Sequence, residues 1–163
     1  VIEGGAERYL SVWEGIRWIN NHLPMQEQEY IFIHDGARPF VNEQIMEATF
    51  NAVKEYGACV AGMPVKDTIK IVDEEKFAAQ TPNRKNVWAV QTPQVFERTL
   101  ITEAYGKLIE QLDVLKQKGI EITDDAMVVE TMTQKPVKLV EASYKNIKIT
   151  TPEDMKIAES LME

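Results

Sequence analysis

The stretch HDGARP, residues 34 to 39, sets an acid, a glycine and an arginine directly after the apolar run YIFI. Asp35 could hold a cation or a ligand hydroxyl, and Gly36 leaves room beside it. The Arg38 guanidinium offers a fork of donors that suits a phosphate. An internal Asp–Arg pair at a turn explains the same residues equally well. Further polar clusters interrupt the chain. GGAERYLS, residues 4 to 11, puts two glycines before a helix, where a backbone can approach a ligand closely, although a plain turn is the commoner use. PVKDTIK, residues 64 to 70, reads locally as a solvated edge, with Lys66 and Lys70 flanking Asp67 and Thr68. TPNRKNVWAVQTPQ, residues 81 to 94, joins Arg84 and Lys85 to Trp88 between Pro82 and Pro93. NIKIT, residues 146 to 150, places Lys148 between Ile147 and Ile149, so alternation in a short strand sends it to the opposite, usually solvated, face.

Other chemistries are poorly supplied. Of the two histidines, His22 ends a helix among asparagines. His34 precedes Asp35 and could orient it, though packing serves as well. No Cys/His cluster has metal-ligand spacing, so zinc is not indicated. No Ser-His-Asp arrangement is legible, and Ser11 has no neighbouring base. The single cysteine, Cys59, lies in the apolar GACVAGM and reads as a small core residue. It allows no disulfide within the chain, which makes a reducing, cytoplasmic compartment the default. A net charge of −8 argues against general nucleic-acid binding or a basic membrane surface. It leaves room for a local group of cations around an anionic ligand. No apolar run approaches the roughly 20 residues of a membrane span.

The elements that must position these clusters alternate. ERYLSVWEGIRWINNHL carries Leu10, Trp13, Ile16, Ile19 and Leu23 at helical spacing. YIFIH is a short, fully apolar strand of the kind buried on both faces. NEQIMEATFNAVKEYG has Asn42 as N-cap and Gly57 as stop. ACVAGMPV and TIKIV read as strands. NVWAVQTPQVF is extended, but Pro82 and Pro93 lack a donor, which argues against a central strand and for a projecting arm. A long helix runs from about Leu100 to Lys118, and a short one follows Thr123 as cap. VKLVEA and NIKIT read as strands, and Thr151, Pro152 and Asp154 open the last helix as a variant capping box. This alternation predicts an α/β fold with a mainly parallel sheet, whose ligands bind beyond the carboxyl ends of the strands. Asp35 to Pro39 lies at such an end. VIEGG reads as a strand entering a glycine turn, so the chain, which starts on Val1, reads as beginning inside a domain.

Taken in order, GGAERxxSVxxGI, HDGARPFV, PVKDTIK, TPNRKxxWAVQTPQVF, ITDDA and NIKITTPEDMKIAE closely resemble the 2-C-methyl-D-erythritol 4-phosphate cytidylyltransferase family, nearly from residue 1 to residue 163. HDGARP and NRKxxWAVQTPQ are the most specific blocks. The resemblance implies transfer of a cytidylyl group from CTP to methylerythritol phosphate with release of pyrophosphate, in non-mevalonate isoprenoid synthesis. It implies a Rossmann-like nucleotidyltransferase sheet with a β-arm, here about residues 64 to 94 of a single domain 1–163. Two arms embrace in a homodimer, each contributing to the partner's site. By the family pattern Gly5, Ala6 and Ser11 contact the cytidine. Asp35, Arg38, Thr68, Arg84, Thr92 and Lys148 surround the sugar phosphate, with Arg84 and Lys148 positioning it. Mg²⁺ is the implied cofactor, with Asp35 as a ligand. The family's glycine-rich PAAGxGxRM loop and PKQ lysine have no counterpart in these residues, and Leu10 replaces a usual acid. On these departures the chain reads as N-terminally incomplete and inactive alone. Two alternatives stand beside the main reading: a ribitol 5-phosphate cytidylyltransferase, and a catalytically inactive fragment that only dimerises.

Overall fold

Side-chain alternation along the two most buried strands sorts the core into halves. The computed structural model describes residues 1–162. In strand β2 (Ala58–Pro64), Ala58 and Val60 point into one apolar cluster and Cys59 into another. In strand β5 (Trp88–Glu97), Phe96 and Val95 divide in the same way. The larger cluster packs under helices α1 (Arg8–His22), α3 (Arg98–Gln117) and α4 (Asp125–Thr133), through Ile16, Ile101, Tyr105, Leu108 and Val128. The smaller one packs under α2 (Glu43–Tyr56), through Val53. Helices thus cover both faces of the sheet, as the near-continuous apolar runs require.

The sheet order is β1-β5-β2-β6, with β1 at Tyr30–Ile33 and β6 at Lys138–Glu141. Strands β1, β2 and β6 run in one direction, and β2 pairs with β6 in parallel. Strand β5 runs against them and pairs antiparallel with both β1 and β2. The parallel sheet expected from the alternation therefore holds for strand direction, with one reversed strand inserted. That strand also corrects the expectation for NVWAVQTPQVF, which is central. Pro93 is tolerated because, between the pairs Val60–Gln94 and Gly62–Val90, Ala61 of β2 alone faces Gln91, Thr92 and Pro93 of β5. The proline sits in this bulge and beyond the last β1 pair, Ile33 with Gln94, so no ladder donor is asked of it. Gly62 faces the bulge, where an added Cβ would come 3.1 Å from the Ala89 carbonyl.

Between β2 and β5 the chain leaves the sheet as a two-stranded ribbon, β3 (Ile71–Val72) with β4 (Ala78–Gln80). Asp73 shapes its tip, accepting from the amides of Glu75 and Phe77. The projecting part is narrower than 64 to 94, because Gln91 to Phe96 are buried in the sheet. NIKIT is not a strand: turns at Ser143–Asn146 and Lys145–Ile147 hold it as a loop, and the Ile149 amide donates to Ala37. VIEGG is not a strand either.

The expected caps mostly hold. Asn42 Oδ1 accepts from the Ile45 amide, and Gly57 stops α2 at φ 74°. Thr151 and Asp154 form a reciprocal capping box on α5 (Pro152–Leu161). Helix α4 is capped by Asp124 rather than Thr123, through the Met127 amide at 2.8 Å. Arg98, 3 % exposed, clasps the end of α1 by donating to the carbonyls of Ile19, Leu23 and Pro24 and to Glu29. Cys59 is a core residue: its thiol donates to the Thr49 carbonyl, and burial pushes it up to about 12.

Candidate active site

The carboxyl ends of β1, β2 and β6 and the amino half of β5 meet at one edge of the sheet. Asp35 follows β1, Thr92 lies in the β5 bulge, and Lys148 follows β6. Together with Arg8, Arg38, Gln94 and Asp124 they line a cleft of about 320 Å³, near the lower end for small-molecule sites.

Asp35 is its electrostatic centre. Lys148 Nζ lies 3.0 Å from Oδ2, and the Arg8 guanidinium lies 3.5 Å from Oδ1. Burial works to raise the Asp35 carboxyl, but the Lys148 hydrogen bond and the charges of Arg8, Lys148 and Arg38 outweigh it and hold it below the usual range. Its backbone amide donates to Thr92 Oγ1 at 3.1 Å. That leaves the Thr92 hydroxyl free to donate to His34 Nδ1, 3.0 Å away, and His34 Nε2 to donate to the Arg38 carbonyl. His34 thus orients Thr92 rather than the carboxylate.

Arg8 bridges Asp35 to a second acid. Its two terminal nitrogens donate to Asp125 at 3.1 and 2.7 Å, and the buried Tyr105 hydroxyl donates to the same carboxylate. Asp125 is fully buried. Burial alone would favour loss of the Arg8 proton, but the Asp125 bonds and charge, with Asp35 behind them, hold the cation more firmly than usual. Burial first, and then Asp125, keep the Tyr105 phenol protonated well above its ordinary range. Arg38 is turned inward, against the expectation that its fork faces a phosphate. It donates to the Asn146 carbonyl at 2.8 Å and to the Val90 carbonyl at 3.4 Å, and burial lowers it despite Asp35. Lys148, with its side chain 43 % exposed and one partner, has donors left for an anion.

The glycine cluster is a separate turn. Ser11 Oγ accepts from the Gly5 amide at 3.0 Å and donates back to the Gly5 and Glu7 carbonyls. A Cβ on Gly5 would collide with Leu10, so the glycine is needed for the turn's own packing. Ala6 is exposed beside it. Thr68 and Arg84 are not brought to Asp35. Both lie in the ribbon segment, where Arg84 donates to the Lys66 carbonyl and neither lines the cleft.

The profile described as IspD, 2-C-methyl-D-erythritol 4-phosphate cytidylyltransferase, matches residues 1–163. This chain belongs to that family. The cytidylyltransferase of Lachnospira eligens is 50 % identical over 158 residues, covering 97 % of this chain and 65 % of the relative. That of Caldanaerobacter subterraneus subsp. tengcongensis is 47 % identical over 159 residues, covering 98 % and 64 %. The chain thus spans slightly less than two thirds of these curated relatives. Among solved structures, 4-diphosphocytidyl-2C-methyl-D-erythritol synthase from Anaerococcus prevotii superposes with a TM-score of 0.83 at 34 % identity, covering 99 % of this chain and 68 % of that one. The Thermus thermophilus cytidylyltransferase gives 0.77 at 33 %, covering 99 % and 72 %.

Of the family positions named from the sequence, Asp35, Arg38, Thr92 and Lys148 converge on the cleft. The residues that sequence reasoning missed are Arg8, Tyr105, Asp124, Asp125 and Gln94. Gln94 Nε2 donates to Asp124, and its Oε1 accepts from the Ala126 amide, which ties β5 to α4. GGAER and ITDDA contained the Arg8–Asp125 pair, but 117 residues separate the partners and nothing local links them.

Proposed function

We propose that these residues carry the acceptor side of a cytidylyltransferase site in one nucleotidyltransferase domain, with CTP and 2-C-methyl-D-erythritol 4-phosphate as substrates. The observation that carries the reading is the Asp35–Lys148 pair at 3.0 Å beside Thr92, in a chain of this family. The nucleophile is a phosphate monoester oxygen, already anionic near neutral pH, so no general base is required. That oxygen bonds to the α-phosphorus of CTP, the bond to the β-phosphate bridging oxygen breaks, and pyrophosphate leaves with the electron pair. The protein's task is to bring two anions together and spread their charge. Lys148 is the cation with free donors; Asp35 fixes it, and Thr92 fixes Asp35. Gly5, Ala6 and Ser11 are the proposed cytidine contacts, where the held turn presents backbone.

The cleft fits Mg²⁺ only in part. Among the described residues no group of three or more His, Cys, Asp or Glu is placed to hold a metal. Asp35 would serve as a single carboxylate ligand through its more loosely held Oδ1, with phosphate oxygens completing the set, a common arrangement for this ion. Bound there, Mg²⁺ would neutralise phosphate charge.

A second copy of the chain is the proposed partner. The ribbon exposes Ile69, Ile71, Val72 and Phe77, and a two-stranded ribbon cannot bury them itself. Pairing two ribbons would cover these groups and bring Thr68 and Arg84 of one copy toward the cleft of the other. No described helix is long and apolar enough to cross a membrane, and a cytoplasmic setting is proposed from the single buried thiol.

The test is a hybrid in which these residues replace the matching segment of the Lachnospira eligens relative. Pyrophosphate release should depend on CTP and methylerythritol phosphate together. Equal or better turnover with ribitol 5-phosphate would overturn the acceptor assignment.

A further inference from the structure

Among the described residues, the buried side-chain nitrogens and oxygens without a hydrogen-bond partner are Arg38 Nε and Asn146 Oδ1. Such groups are costly, and in native structures they concentrate where something other than stability sets the geometry. Asn146 opens the loop that replaces the expected NIKIT strand, and Arg38, in the segment after β1, is bonded to that loop. Asn146 is fully buried. Its Nδ2 donates to the Thr92 carbonyl at 2.9 Å and to Gln91 Oε1 at 3.0 Å. Gln91 in turn donates to the Ser143 carbonyl at 2.9 Å, at the start of the same loop. The backbone carbonyl of Asn146 is the shorter of the two acceptors that hold Arg38. Two residues later Lys148 reaches Asp35. One residue is therefore bonded to the β5 bulge that carries Thr92 and to Arg38, and sits in the loop that carries Lys148.

We infer that Asn146 is a positioning residue for the acceptor phosphate, acting through Thr92, Arg38 and Lys148 rather than touching substrate. This rests on the acceptor-site reading above. A loop without ladder hydrogen bonds has no intrinsic register. The Asn146 carboxamide supplies one by donating to the bulge, where the irregular pairing leaves the Thr92 carbonyl free to accept. An aspartate has the same shape and no donor. It would set a carboxylate against the Thr92 carbonyl and Gln91 Oε1, both acceptors, and the loop would lose its register while the distant core stayed intact.

The test uses titration of 2-C-methyl-D-erythritol 4-phosphate, followed by isothermal calorimetry and by amide spectra, into the unsubstituted protein, Asn146→Asp and Val53→Ala. Val53 is equally buried but belongs to the α2 cluster on the other face. Asn146→Asp should weaken binding about tenfold to a hundredfold, the loss of hydrogen bonds that hold charged contacts in place. Val53→Ala should lower the melting temperature with binding unchanged within about twofold, which separates positioning from general destabilisation. Equal binding by Asn146→Asp and the unsubstituted protein overturns the inference and leaves the functional reading intact. No binding to the unsubstituted protein overturns both. Should Asn146→Asp fail to fold, the Asn146 side-chain amide signals of the unsubstituted protein decide: a shift on adding the sugar phosphate supports the inference, and no shift overturns it.

Discussion

Replacing Tyr105 with phenylalanine removes one buried oxygen and changes almost nothing else. Tyr105 is fully buried, and its hydroxyl donates to Asp125, which is also fully buried. A hydrogen bond to a charged group contributes about 1.5–3 kcal/mol. Asp125 keeps the Arg8 fork at 3.1 and 2.7 Å, so no oxygen is left bare and the lower half of that range applies. For a chain of this length about 1 kcal/mol shifts the midpoint by roughly 3 °C. Tyr105→Phe should therefore melt about 5–7 °C lower, followed by circular dichroism. The sharper assay is a double-mutant cycle with Asp125→Asn in urea, since partners in one network couple by about 0.5–3 kcal/mol. We expect a coupling of at least about 1 kcal/mol. A coupling indistinguishable from zero would show that the hydroxyl and the carboxylate act independently, and the account of Arg8 as anchored from beneath would fail.

Lys148→Met, in the hybrid enzyme, should lower kcat/KM for the sugar phosphate about tenfold to a hundredfold with the KM for CTP little changed, as loss of a charged phosphate contact implies; a collapse of CTP binding alone would assign Lys148 the wrong role. Because the folded Asp35 carboxyl lies below its unfolded range, its contribution to stability is full above about pH 4 and is lost as pH falls through the folded value. Urea midpoints of the protein and of Asp35→Asn should accordingly converge toward pH 3, and a constant gap from pH 7 to 3 would contradict the ion-pair assignment. Phe77, 67 % exposed near the ribbon tip, should report the proposed dimer: sedimentation at micromolar concentration should show a dimer for the unsubstituted protein and a larger monomer fraction for Phe77→Asp, whereas a monomer for both would remove the partner role.

The sequence by itself determined what local physics controls. Asn42, Gly57 and the Thr151–Asp154 pair mark helix ends because capping needs only residues three or four apart. The apolar runs at 30–33 and 58–63 specify strands with helices on both faces, and the order of the polar blocks identified the family. It placed Asp35, Arg38, Thr92 and Lys148 in one site by resemblance. Tertiary structure decided what pairing across distance controls. Strand β5 is central although it contains Pro93, because the bulge against Gly62 removes the demand for its donor, and only the register shows the bulge. NIKIT alternates like a strand yet forms a loop, because Asn146 and Arg38 supply bonds that a ladder would otherwise make. Arg38 faces inward for the same reason. Arg8 opens α1 after a glycine segment that reads locally as a plain turn, and its partner Asp125 lies 117 residues away. Charge-charge attraction depends on distance in space, and the chain must fold before that distance exists.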